Sequence, residues 1–263
     1  MAGKNYRLQE GAGRNSATGG GTNLQEGKIS MQMRGLTGAS LLLLAAVVTG
    51  SAFARAPAAA SPDRWEEALG SFAAADLKSQ PEPGAVLFVG SSSIRLWDGL
   101  EEQFEDARVL KRGFGGSRLT DCVKHLDRLV VKYQPRLVLL YAGDNDLAEG
   151  GSPEDVLARV QAFAEGVHGR LPETRILFIS IKPSPARRAL MKKARAANDL
   201  VRTYADEHPL VDYVDVFTPM LAADGSPRSE LFRKDQLHLN AEGYALWRKI
   251  IRPLVRSAAP ARP

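Results

Sequence analysis

The chain has 263 residues, 44% of them hydrophobic and 25% charged, and a formal net charge of +5. That composition excludes a disordered or collagen-like chain, and a single cysteine excludes an internal disulfide framework. Much of the basic excess lies upstream of Arg55: the remainder carries 30 basic against 28 acidic residues and offers no electrostatic case for nucleic acid.

Residues 1–30 are rich in Gly, Asn, Ser and Gln without helical or strand period, and read as disordered or as an extension upstream of a later start at Met31 or Met33. Residues 31–54 read as a signal peptide. Arg34 gives the basic flank, "ASLLLLAAVVTG" an apolar stretch short for a bilayer, and Ala52-Phe53-Ala54 a small-x-small cleavage site. The competing reading is an uncleaved anchor. Cleavage predicts an exported protein, periplasmic or secreted, with no stable membrane insertion after processing. An Ala/Pro linker at 55–62, one domain at 63–257 and a disordered tail at 258–263 complete the expected organisation.

Within the domain, residues 63–78 predict an amphipathic helix with Trp65, Leu69, Phe72 and Leu77 as its apolar positions. Apolar runs at 85–89, 109–110, 137–141, 175–181 and 210–217 then alternate with helical stretches. Such alternation implies crossover connections and a parallel sheet covered on both faces: an α/β fold, a three-layer α/β/α sandwich with a flavodoxin-like parallel five-stranded sheet. Ser152, Pro153, Glu154 and Asp155 supply the start signals of another helix, whose stripe is Val156, Val160, Phe163 and Val167. Cys122 falls on a helical stripe with Leu119, Leu126 and Val130 and reads as a small core residue.

An open parallel sheet places chemistry at the carboxyl ends of its strands. There the chain carries "GSSS" at 90–93, "GFGGS" at 113–117 and "GDND" at 143–146, with "DQLHL" at 235–239 near the C-terminus. In the strand order 2-1-3-4-5, strands 2 and 3 flank strand 1, so three polar or glycine-rich loops converge on one serine.

The blocks "FVGSSS", "RGFGGS", "AGDND" and "DQLHLNAEGY", in this order, resemble those of the SGNH hydrolases, or GDSL esterases/lipases. The nearer resemblance is to bacterial proteins similar to the catalytic subunits of platelet-activating-factor acetylhydrolase, and it runs from about Val86 to Trp247. The resemblance implies Ser92 as nucleophile, Ser92, Gly116 and Asn145 as oxyanion-hole donors, His238 as base and Asp235 as its partner. Where the first block of the family reads Gly-Asp-Ser, this chain has Gly90-Ser91-Ser92. Ser91 is then expected to replace a turn-forming aspartate, and Ser93 to help cap the following helix.

The chemistry points the same way. Of four histidines only His238 has a carboxylate three residues upstream, where Asp235 could hold Nδ1–H and leave Nε2 facing the serine. His125, His168 and His208 read as surface or structural. Asp144 reads as a turn residue, Trp97 and Trp247 as core or groove-lining residues, and the cluster Arg187, Arg188, Lys192, Lys193, Arg195 as a solvated helix face. Leu231 and Phe232 are candidates equally for an acyl-binding wall and for the core. The expected activity is hydrolysis of carboxylic esters, short acyl or acetyl esters of a sugar or lipid, with no organic cofactor and no metal-ligand spacing. A transacylase using the same serine and a non-catalytic flavodoxin-like module binding phosphate or flavin are the alternatives.

Overall fold

Five strands form one parallel sheet in the order β2-β1-β3-β4-β5: β1 Val86–Gly90, β2 Val109–Gly113, β3 Leu137–Tyr141, β4 Arg175–Ile179 and β5 Val211–Val214. The structure, a computed structural model, describes residues 63–105 and 107–257. The extension, signal peptide, linker and tail expected at 1–62 and 258–263 lie outside the described residues. The helices in chain order are α1 Glu66–Lys78, α2 Ser92–Arg95, α3 Leu119–Lys124, α4 Leu126–Leu129, α5 Asp144–Ala148, α6 Pro153–His168, α7 Met191–Asp206 and α8 Ala241–Ser257.

Alternation along the strands divides the interior into two cores. Leu87 and Val89 of β1, with Val138 and Leu140 of β3, pack against α1, α3, α4, α6 and α7. Val86, Phe88, Leu137 and Leu139 point the other way, onto Ile94 of α2 and the Tyr244, Trp247, Ile251 and Val255 stripe of α8. Every residue of β1 and β3 is buried, as a sheet covered on both faces requires. Trp97 and Trp247 are fully buried with ring centroids 6.0 Å apart, so both are core residues. Leu231 and Phe232 lie in the same core, which settles their choice against an acyl wall.

Helix α6 starts as its sequence dictates: Ser152 Oγ accepts from Asp155 N–H at 3.0 Å, the Asp155 carboxylate accepts from Ser152 N–H at 2.9 Å, and Pro153 takes the first helical position. Its stripe Val156, Val160, Phe163 and Val167 is buried. Three expectations are corrected. Leu77 is 90% exposed, because the stripe Trp65, Leu69, Phe72 continues to position 76, where Asp76 meets Arg112, Lys132 and Tyr133. The fourth and fifth apolar runs, 175–181 and 210–217, outlast their strands: β4 stops at Ile179 and β5 at Val214, and the N–H groups of Val216 and Phe217 donate to Ser180 Oγ. Finally, the helix carrying Cys122 breaks at His125, whose ring stands 3.2 Å from Asp63.

Candidate active site

The loop that carries Ser92 is shaped by a close approach of two strands. Gly90 ends β1 with φ 140°, and a Cβ there would come within 1.8 Å of the Tyr141 carbonyl oxygen, so no other residue fits. Ser91 N–H then donates to that oxygen at 2.9 Å, and Ser91 O accepts from the N–H groups of Ile94 and Arg95, which starts α2 with Ser92 at its first position. From the opposite side, Tyr244 Oη donates to Ser93 O at 3.0 Å and ties the loop to α8. The hydroxyls of Ser91 and Ser93 are buried without a hydrogen-bond partner. Neither makes the turn or capping bond expected of it; the backbone does that work.

The histidine comes from a tight turn ahead of α8. Gln236 adopts φ 55°, which folds the chain so that the Asp235 Oδ1 accepts from the N–H groups of both Leu237 and His238 at 2.9 Å. Asp235 Oδ2 lies 2.7 Å from His238 Nδ1, and His238 Nε2 lies 3.1 Å from Ser92 Oγ. With the carboxylate accepting from Nδ1–H, Nε2 is left to accept from the serine hydroxyl. The His238 N–H, followed by the imidazole and the Leu237 N–H, holds the Asp235 carboxyl far below its ordinary range, so it stays charged.

Gly116, at φ 80°, and Asn145, in the first turn of α5, line the same groove of about 650 Å³ as Ser92 and His238. Asn145 Nδ2 donates to Ser117 O at 3.0 Å and its Oδ1 accepts from Arg187 at 2.8 Å. The N–H groups of Ser92 and Gly116, and the second N–H of the Asn145 amide, have no acceptor among the described residues. Three unpaired donors thus border the serine that an imidazole addresses. Such a set suits attack on a carbonyl whose oxygen gains negative charge.

The GDSL-like lipase/acylhydrolase family model matches residues 84–246. The chain belongs to this family. With the family comes the reaction class: the protein is a GDSL-type hydrolase of esters. No curated relative matches it significantly. Solved structures share the fold. A protein of Streptococcus pneumonia described as a platelet activating factor superposes with a TM-score of 0.65 at 23% identity, over 72% of this chain and 92% of its own. An acylhydrolase from Bacteroides fragilis gives 0.62 at 19%, over 74% and 95%. A carbohydrate esterase family 3 protein from Talaromyces cellulolyticus gives 0.54 at 15%, over 67% and 100%.

Beside its site this GDSL-type hydrolase holds a buried network that sequence reading missed. Lys182 Nζ donates to Asp144 Oδ2 and Tyr141 Oη, both at 3.0 Å, and Arg187 stands 3.3 Å from the same carboxylate. Asp144 is therefore an ion-pair centre and not a turn residue, and Arg187 leaves the solvated face expected for it to reach into the site. Burial alone would raise the Asp144 carboxyl, but Lys182 and Arg187 outweigh it and hold it below its ordinary value. Lys182 is held above its own by Asp144 and Tyr141 against the same burial, and the Tyr141 phenol is pushed up to about 12, chiefly by burial. A signal existed in the register: Leu140 pairs with Phe178, and four residues beyond each stand Asp144 and Lys182.

The other histidines are structural. His168 Nε2 bonds Thr174 O at 3.0 Å and His208 Nδ1 bonds Tyr204 O at 2.6 Å. Cys122 is fully buried, and burial pushes its thiol well up. Among the described residues, no helix is long and apolar enough to cross a membrane.

Proposed function

We propose that this hydrolase is a serine esterase that cleaves short acyl esters of a polar carrier, such as acetyl esters of a sugar or a lipid headgroup, through an acyl-enzyme on Ser92. The observation that carries the reading is the continuous path from Asp235 through His238 to Ser92, at 2.7 and 3.1 Å, beside three unpaired N–H donors. Ser92 Oγ attacks the ester carbonyl carbon as its proton passes to His238 Nε2. The carbonyl electron pair moves onto oxygen, held by Ser92 N–H, Gly116 N–H and the Asn145 amide. Collapse breaks the bond to the alcohol, which leaves with the proton from His238. Water then repeats the sequence on the acyl-serine, releasing the acid and restoring the hydroxyl. Asp235 keeps the ring oriented and stabilises the imidazolium without taking the proton.

The groove favours a short acyl group. Its apolar lining is confined to Trp65, Ala68 and Leu237 among charged and polar residues, which leaves a long alkyl chain little to bury against. A carbohydrate esterase among the fold neighbours accords with a sugar as carrier. Export belongs to the same reading and rests on Arg34, the apolar stretch and Ala52-Phe53-Ala54; the mature N-terminus, measured by mass spectrometry on the native protein, tests it.

Steady-state rates on 4-nitrophenyl esters of two to twelve carbons test the substrate, with kcat/KM expected to fall beyond about four carbons. A fluorophosphonate should phosphonylate Ser92 with loss of fluoride, raising the mass of the Ser92 peptide by that of the reagent less HF. Full turnover by Ser92→Ala would sink the mechanism.

A further inference from the structure

Arg95 ends α2 one helical turn after Ser92, which puts the two side chains on the same face. It is exposed and lines the groove, and its guanidinium makes no hydrogen bond or ion pair among the described residues. Other arginines are engaged: Arg118, Arg159 and Arg175 each hold a carboxylate within 3.4 Å. The guanidinium of Arg95 is nevertheless placed. It lies against Gly115, where an added Cβ would come 2.6 Å from Nε and 3.1 Å from both Cζ and Nη2. Gly115 has no positive φ to explain its glycine. The missing side chain leaves the space in which this guanidinium rests, at the edge of the proposed oxyanion loop.

A second guanidinium borders the next residue of that loop. Arg64 donates to Gly116 O at 3.2 Å and lies 4.2 Å from the centroid of the Trp65 ring, with its nearest carboxylate, Asp121, 4.0 Å away. The groove also holds two carboxylates. Asp144 is neutralised by Lys182 and Arg187, and Glu67 is an exposed residue of α1. The balance beside Ser92 is therefore positive: Arg95 offers a free planar fork and Arg64 a partly engaged one, both of the kind that pair with carboxylate or phosphate oxygens.

We propose that Arg95, assisted by Arg64, is a subsite for an anionic oxygen group, carboxylate or phosphate, on the alcohol portion of the ester. This rests on the serine-esterase reading, in which the acyl group is too short to bear the charge. The subsite selects an anionic carrier over a neutral one by pairing with it in both the bound substrate and the transition state.

The test compares acetyl esters that differ in charge: 4-acetoxybenzoate and 4-acetoxyphenyl phosphate, each against methyl 4-acetoxybenzoate. The readout is the ratio of kcat/KM for the anionic ester to that for the neutral one, so that differences in intrinsic reactivity cancel between enzyme variants. Arg95→Gln should lower the ratio about tenfold, the effect of losing one charge-assisted hydrogen bond. Arg64→Gln should lower it less, and Arg248→Gln, an exposed arginine of α8, should leave it unchanged. Raising NaCl from about 20 to 500 mM should shrink the wild-type ratio through screening. The larger of the two anionic ratios identifies carboxylate or phosphate as the preferred group. A ratio equal within twofold in wild type and Arg95→Gln overturns the subsite. Calorimetric titration of Ser92→Ala with 4-acetoxybenzoate, with and without Arg95→Gln, separates the two readings. Arg95-dependent binding without turnover of any ester by the wild type would retain the subsite and sink the esterase; turnover with Arg95-independent binding would do the reverse.

Discussion

Arg187 donates from Nη2 to Asn145 Oδ1 at 2.8 Å, and this bond decides which way the amide faces. A guanidinium has only donors, so the atom turned to it must be oxygen; the Ser117 carbonyl only accepts, so the atom turned to it must be nitrogen. The second N–H of Asn145 is the group left over. On the proposed mechanism, Asn145→Ala should therefore lower kcat by roughly 10²- to 10³-fold with little change in KM, because the oxyanion assigned to it exists chiefly in the transition state. Arg187→Met should lower kcat in the same direction by about tenfold, by freeing the amide to rotate. Equal melting temperatures with unchanged kcat would remove both residues from the site.

The low Asp235 carboxyl makes a prediction about protons. Because the His238 and Leu237 N–H groups favour its charged form, Asp235 remains a carboxylate as pH falls to about 4, the ordinary aspartate range. Above about pH 4 the acid limb of log kcat/KM should then carry no break from Asp235 and keep unit slope. A slope of two would mean that Asp235 takes up a proton in that range. Asp235→Asn should cost about 10⁴-fold in kcat, as expected when the partner no longer selects the tautomer.

The pair of Asp144 and Lys182 carries a prediction about stability. Asp144 is depressed and Lys182 raised, so the pair stabilises the fold fully between roughly pH 4 and pH 10, the ordinary values of the two groups. The contribution fades as pH falls through the lowered Asp144 value or climbs through the raised Lys182 value. Lys182→Met leaves a buried carboxylate with Arg187 as its one cation and the Tyr141 hydroxyl as a neutral donor, and should destabilise by about 3 to 5 kcal/mol. Adding Asp144→Asn should restore much of that loss, read as the midpoint of urea unfolding.

Gly90→Ala should prevent folding to the native sheet. Its methyl would occupy the place of the Tyr141 carbonyl oxygen, which belongs to the backbone of the neighbouring strand and cannot swing aside. Loss of the cooperative thermal transition checks this; a native-like transition would mean that β1 and β3 can separate at their carboxyl ends.

The parallel sheet, the two-faced burial of its strands and the α6 start were legible because each follows from local pattern: apolar runs, alternation and capping residues; the strand order was expected only from the flavodoxin-like arrangement. The meeting of Ser92, Asp235 and His238 could be anticipated from block order and the strand-end rule. What escaped was decided across strands. Nothing near Asp144 in the chain announces Lys182, 38 residues on, until the register of β3 with β4 is known. Arg187 stood in a run of basic residues that reads as solvated, and only the fold turns it from that face toward Asn145. Leu77 escapes the pattern because Asp76, a polar residue, takes the partly buried stripe position.

The chain's only thiol is sealed under the sheet, with Cys122 at 0% exposure and burial holding it protonated. It is thus a built-in clock for opening of the α3 side of the molecule. A maleimide can reach it only when that layer lifts, so the labelling rate in native buffer reports how often the core breathes, without any introduced probe. The same seal leaves a cysteine engineered into the groove as the sole reactive one, ready to carry a fluorophore beside Ser92 against a silent background.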